Sequence, residues 1–176
     1  MFMKIKLQDI SPEGLGVDVK EEEEFRSIAE QRGVKTLSPV TAHVDIRRIS
    51  GAVEIAGHVA ARLSLKCARC LEDYASTVET DFVRHLVRGK DKEREKEKEL
   101  TPEEMDVTFF EGDEIELLEI LFEEVSLEMP TKPLCKEDCR GLCPRCGKDL
   151  NKGECKCPPE EKIDPRFAKL KGFKVK

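Results

Sequence analysis

Along residues 40–47, apolar Val40, Ala42, Val44 and Ile46 alternate with Thr41, His43, Asp45 and Arg47. Successive side chains of a strand point to opposite faces, so a period of two predicts a half-buried strand. After Ser50-Gly51 the same rule resumes at Val53, Ile55, Val59, Ala61, Leu63 and Leu65. This second strand runs directly into Cys67-Ala68-Arg69-Cys70. The stretch "YASTVETDFVRHLVRG" that follows is rich in Thr, Val and aromatics and predicts a third strand. Its apolar positions 74, 78, 82 and 86 also suit a helix. The pattern reads as an antiparallel meander with the first cysteine pair at the tip of its second hairpin.

The flanks are less regular. Residues 1–38 mix short apolar patches with charge, and the run Glu21 to Glu24 followed by "FRSIAEQRG" predicts one or two helical turns ended by Gly33 within irregular structure. Residues 90–99 are ten charges alternating in sign. Nothing there can bury, and like charges fall at i,i+4, so a mobile, solvated loop is predicted. Residues 106–110 predict a short strand. Leu117, Leu118, Leu121, Phe122 and Val125 then recur at helical spacing beside a face that is almost wholly glutamate. Pro130 and Pro133 stop regular structure before the remaining cysteines. The expected fold is α+β: an antiparallel β-meander packed by one acidic amphipathic helix, with a C-terminal four-cysteine zinc-binding segment. Three parts are expected: a β-rich body over 1–129, a cysteine-rich zinc segment over 130–160, and a basic tail over 161–176.

Composition sharpens this picture. The 176 residues are 39% hydrophobic and 39% charged, with no apolar run near the ~20 residues a membrane helix needs. The start lacks a signal-peptide pattern, which predicts a cytoplasmic protein whose thiols stay reduced. The net charge of -6 hides a division. Residues 100–129 hold eleven acidic side chains and no Lys or Arg, whereas residues 130–176 hold thirteen basic and seven acidic ones. Any polyanion would therefore meet the C-terminal part.

Six of the eight cysteines lie in "CKEDCRGLCPRCGKDLNKGECKC", and the other two are Cys67 and Cys70. Disulfides suit short secreted domains rather than this chain. A thioredoxin-like centre needs C-x-x-C at a helix N-terminus, but the first pair here follows a strand. Zinc needs four soft ligands in a tetrahedron, which a C-x-x-C turn plus a second pair supplies. "CPRCG" has the form of a zinc knuckle, with Gly147 free to take positive φ. Eight thiols make two such sites. One partition joins Cys143, Cys146, Cys155 and Cys157 locally and Cys67 and Cys70 to Cys135 and Cys139. A competing one groups Cys135, Cys139, Cys143 and Cys146. All-thiolate sites are closed and make poor Lewis acids, so the metal is expected to be a brace. His43 and His58 fall on the polar side of the strand alternation, and no recognisable catalytic motif accompanies them or His85. No enzyme activity and no small-molecule substrate is expected.

At "LCKEDCRGLCPRCGKDLNKGECKC", preceded by "CARCLE" and followed by "DPRFAKLKGF", the chain resembles the YceD family over nearly its whole length. The motif falls on Gly141, Leu142, Cys143, Cys146, Gly147, Leu150, Asn151, Cys155 and Cys157. The resemblance implies a non-enzymatic ribosome biogenesis role in the synthesis, processing or stability of 23S rRNA, as in bacteria and plastids. Its partner would be 23S rRNA or its precursor, or a large-subunit assembly protein. Contact with RNA would run through Lys162, Arg166, Lys169, Lys171, Lys174 and Lys176, with Phe167 and Phe173 stacking on bases. An alternative is a zinc-stapled protein-interaction module whose acidic helix face engages a basic ribosomal or RNA-processing partner without touching RNA.

Overall fold

The computed structural model describes residues 3–49, 51–89 and 107–158. Its centre is the meander: β4 (Val40–Ile49), β5 (Ala52–Lys66) and β6 (Asp73–Arg88) pair antiparallel in sequence order. The helical alternative for residues 73–88 is not realised. Apolar residues four apart share parity, so Val78, Phe82 and Leu86 fill one strand face, and pair with Ala61, Gly57 and Val53.

The first 38 residues hold more structure than their mixed pattern suggests. β1 (Lys4–Lys6), a 3-10 turn over Leu7–Asp9, β2 (Leu15–Glu21), α1 (Glu23–Gln31) and β3 (Lys35–Thr36) precede the meander. β2 pairs antiparallel with β4, placing Leu15, Val17 and Val19 opposite Ile46, Val44 and Ala42. β3 pairs with Ser64 and Leu63 of β5, beyond the end of β4. β7 (Val107–Phe110) lies parallel to His85–Arg88 of β6. β8 (Glu114–Glu116) pairs with β1 and leads directly into α2 (Leu117–Glu128). The main sheet thus runs β2-β4-β5-β6-β7.

Among the described residues two helices, not one, cover the inward face, which corrects the expectation of a single helix. α2 packs on β5 and β6, and α1 packs on α2 and β3. Phe25 and Phe122 meet at 5.9 Å between ring centroids, and the Arg32 guanidinium lies 4.9 Å over the Phe122 ring. Val44, Ile46, Ile55, Val59, Leu63, Leu117 and Leu121 lose essentially all solvent contact, so the core is this sheet–helix layer. The outer face of α2 is not a plain glutamate stripe. Glu124 is buried and pairs with Arg84 of β6, while Leu127 is 72% exposed.

The outward face of the sheet carries all three histidines, each against a carboxylate on a neighbouring strand. His43 Nδ1 stands 2.7 Å from Asp18, His58 Nδ1 2.9 Å from Asp81, and His85 Nε2 3.3 Å from Glu54. None approaches a cysteine cluster. Among the described residues, no helix is long and apolar enough to cross a membrane.

Candidate metal centres

The turn between β5 and β6 is built on Cys67. Its N–H donates to the Glu72 carbonyl at 2.9 Å, and the Leu71 N–H donates back to the Cys67 carbonyl at 3.0 Å. The turn at Cys143 repeats this pattern residue for residue. The Cys143 N–H donates to the Lys148 carbonyl at 2.8 Å, and the Gly147 N–H to the Cys143 carbonyl at 2.9 Å. Equivalent positions take positive φ, 62° at Leu71 and 70° at Gly147. Glycine adopts that conformation freely, whereas for leucine it costs about 1–2 kcal/mol. The two C-x-x-C sequences are therefore one turn used twice, the first in a strained form.

Each turn presents two sulfurs to a second pair. Sγ atoms of Cys67, Cys70, Cys135 and Cys139 all lie within 4.8 Å of one another, and so do those of Cys143, Cys146, Cys155 and Cys157. This is the first of the two partitions open from sequence. Sulfurs of Cys67 and Cys139, and of Cys70 and Cys135, are 3.7 Å apart, and those of Cys143 and Cys155 are 3.4 Å apart. A disulfide would bring them to about 2.05 Å. Zn–S bonds of about 2.3 Å in a tetrahedron set the sulfurs about 3.8 Å apart, so the spacing fits a metal of that size.

The electrostatics divide each cluster in the same way. The Cys70 N–H, aimed at the Cys67 sulfur, holds that thiol down to about 6. The N–H groups of Cys146 and Arg145 do the same for Cys143, also to about 6. Burial, followed by the sulfurs of Cys70 and Cys139, pushes Cys135 up to about 12. Contact with the Cys146 sulfur, followed by burial, raises Cys157 to about 12. Four thiols this close cannot all ionise without a cation between them, and a divalent ion would draw the remaining protons off.

The clusters are tied to the sheet and to each other. The Ala68 N–H donates to the Pro133 carbonyl at 2.8 Å, and Arg69 Nη1 donates to the carbonyls of Glu137 and Cys139 at 3.2 and 2.8 Å. The Leu142 N–H returns to the Arg69 carbonyl at 3.2 Å. Gly141, at φ 71°, suits glycine twice over, since a Cβ there would stand only 3.0 Å from the Arg69 oxygen and the backbone would have to give. Asn151 bridges the two centres. Its Nδ2 donates to the Cys139 sulfur at 3.4 Å, its Oδ1 accepts from the Arg140 N–H at 2.9 Å, and Asp149 fixes its amide. Tyr74, Leu134 and Leu142 pack around the first cluster. The linking roles of Arg69 and Asn151 were missed from sequence. The only signal for them was their position inside the two motifs.

Both clusters lie in turns and loops, and neither C-x-x-C opens a helix, so the arrangement that lowers a redox thiol at a helix N-terminus is missing. The lysines, arginine and phenylalanines named for RNA contact in the tail, and the charged run at 90–99, lie outside the described residues.

Comparison with known proteins converges on the same segment. The profile of the family described as large ribosomal RNA subunit accumulation protein YceD matches residues 55–174. An uncharacterised protein of Mycobacterium tuberculosis is 34% identical over 125 residues, covering 71% of this chain and 57% of the relative. The chloroplastic large ribosomal RNA subunit accumulation protein YCED homolog 1 of Arabidopsis thaliana is 27% identical, covering 71% and 46%. Its counterpart in Zea mays is 25% identical, covering 72% and 51%. The chain spans about half the length of these relatives. No solved structure matches it significantly. Since the matched region takes in most of β5, all of β6 and α2, and all eight cysteines, the chain belongs to the YceD family.

Proposed function

We propose that the protein is a zinc-braced, non-enzymatic factor in the accumulation of large-subunit (23S) ribosomal RNA, acting in the cytoplasm. Family membership and the names of the plant relatives support the RNA assignment. The observation that carries the structural part is the pair of four-thiol clusters at tetrahedral spacing. A bound zinc ion would supply a cross-link, since four thiolates leave no position for water or substrate. In the first site Cys67, Cys70, Cys135 and Cys139 would hold it, and in the second Cys143, Cys146, Cys155 and Cys157. The body over 1–129, the zinc segment over 130–160 and the tail over 161–176 then act as scaffold, brace and polyanion contact.

Each four-thiolate zinc site carries a formal charge near -2, so two sites would cancel most of the formal +6 of residues 130–176. RNA affinity is therefore assigned to the tail, through Lys162, Arg166, Lys169, Lys171 and Lys174, with Phe167 and Phe173 as stacking platforms. The reading in which the α2 glutamates engage a basic partner has less support. Glu119 pairs with Arg32, and Glu124 with Arg84.

Crosslinking in cells, with RNA and protein partners both identified, tests this function. The expected result is crosslinks to 23S rRNA or its precursor. Replacing Lys169, Lys171 and Lys174 by Ala should flatten the slope of log affinity against log salt by roughly 2–3 units. Absence of ribosomal RNA crosslinks, together with normal 23S levels on depletion, would contradict it.

A further inference from the structure

β6 is sixteen residues long, but β7 pairs with only its last four, His85–Arg88. Two hydrogen bonds define where its backbone groups point. The Glu72 carbonyl accepts from Cys67 on the β5 side, and the Gly89 N–H donates to Phe110 on the β7 side. N–H and C=O of one strand residue face the same edge, and the edge alternates with each residue. Even-numbered residues of β6 therefore bond β5. Asp73, Ala75, Thr77, Glu79, Asp81 and Val83 aim both backbone groups at the other edge, where no strand among the described residues pairs.

This open edge is about 33 Å long at roughly 3.3 Å per residue. Beside it lies a groove of about 290 Å³ lined by Ser76, Thr77, Val78, Glu79, Glu128 and Pro130. The chain leaving α2 borders the groove without closing it. Pro130 and Pro133 have no N–H, and the Pro133 carbonyl bonds Ala68 rather than β6.

Charge selects the occupant. Asp73, Glu79 and Asp81 are exposed along the edge strand, and Glu128 stands across the groove. The one cation of residues 73–84, Arg84, is already paired with Glu124. On β5, Lys66 and Arg62 stand opposite Asp73 and Thr77 while His58 pairs with Asp81, which leaves Glu79 and Glu128, both lining the groove, as its acidic rim. RNA would be repelled. A second copy pairing antiparallel about Glu79 would set carboxylate against carboxylate, which opposes self-association. We propose that the outer edge of β6 accepts an extended lysine- or arginine-rich segment of a partner protein as an added strand. Main-chain bonds to the odd-numbered residues would supply affinity, and the acidic rim would supply specificity. This goes beyond the ribosomal RNA reading and does not depend on the metal.

The test uses the full chain and a fluorescent twelve-residue peptide of alternating lysine and threonine. Thr77→Pro removes an outward N–H while leaving the ladder to β5 intact, a position where an edge strand tolerates proline. The expected result is saturable binding that Thr77→Pro weakens at least tenfold and Thr77→Ala leaves unchanged. Glu79→Lys combined with Asp81→Lys should weaken it equally, with the thermal transition of each variant measured alongside. Binding indifferent to Thr77→Pro, or equal for a glutamate–threonine peptide, would overturn the proposal. Binding that emerges only when residues 159–176 are removed would overturn it in favour of the chain's own tail. A dimer abolished by Thr77→Pro would overturn it in favour of a second copy.

Discussion

The sulfurs of Cys67 and Cys139 stand 3.7 Å apart although 72 residues separate them in the chain. A metal held there closes a long loop, and its binding free energy becomes folding free energy for the junction between sheet and cysteine segment. Cys139→Ser should loosen that junction. Amides of Ala68 and Leu142, which bond across it, are expected to exchange roughly tenfold faster or more. Those of Cys143 and Gly147, inside the second turn, should stay protected. Uniform loosening of both turns would mean that the clusters do not act separately.

Asn151 offers a test of communication between the centres. It belongs to the loop of the second cluster but donates to a sulfur of the first. Asn151→Ala should lower metal affinity at the first site by about 10–100-fold, the usual cost of losing an outer hydrogen-bond partner. Chelator competition resolving the two sites would show this. Equal affinity in the variant would reduce the contact to coincidence.

The repeated turn predicts a stabilising substitution. Leu71 is 57% exposed and holds a φ of 62°, where its equivalent is Gly147. Leu71→Gly removes backbone strain and little packing, so it should raise stability by about 0.5–1 kcal/mol. Gly147→Ala should lower it by about 1 kcal/mol. Denaturation midpoints of the two variants moving in opposite directions would support the shared geometry.

Arg84 and Glu124 form a pair with side-chain exposures of 25% and 10%. Arg84→Ala strands a carboxylate beneath α2 and should cost about 2 kcal/mol, less than a fully buried pair because Arg84 keeps some solvent. Replacing Arg84 by Met and Glu124 by Leu together should recover most of that loss. A double variant no better than Arg84→Ala would place the effect in packing rather than charge.

Proton release gives an independent view of the thiols. Near neutral pH one thiol of each cluster, Cys67 or Cys143 at about 6, is already ionised in the metal-free chain. Zinc binding should therefore release fewer than four protons per site, measured by titration calorimetry in buffers of different ionisation enthalpy. Affinity, and the stability it confers, should fall as pH falls, because protons compete for the thiolates. Release of four protons per ion would contradict the division within the clusters.

The meander was legible because period-two alternation in β4 and β5 is nearly unbroken, and the even spacing of Val78, Phe82 and Leu86 serves a strand as well as a helix. β2 was missed although Leu15, Val17 and Val19 alternate. Only Val19 is fully buried, and Gly16 and the following glutamates obscure the pattern. α1 was underestimated because its helical core is just Phe25, Ile28 and Ala29, and it is stabilised by packing on α2 that no local pattern reveals. The parallel pairing of β7 with residues 85–88 is a long-range contact that the alternation within either segment does not reveal. The cysteine segment was readable as chemistry, since turn spacing limits which thiols can meet. The hydrogen bonds of Arg69 and Asn151 depend on where the sheet presents Cys67.

The central claim is that the eight thiols hold two metal ions, one across the sheet junction and one within the local knuckle. Native mass spectrometry of the chain purified without chelator, beside Cys70→Ser, tests it most directly. Two zinc ions on the parent chain and one on the variant are predicted. A parent chain free of metal, or a Cys70→Ser chain that keeps both ions, would contradict it.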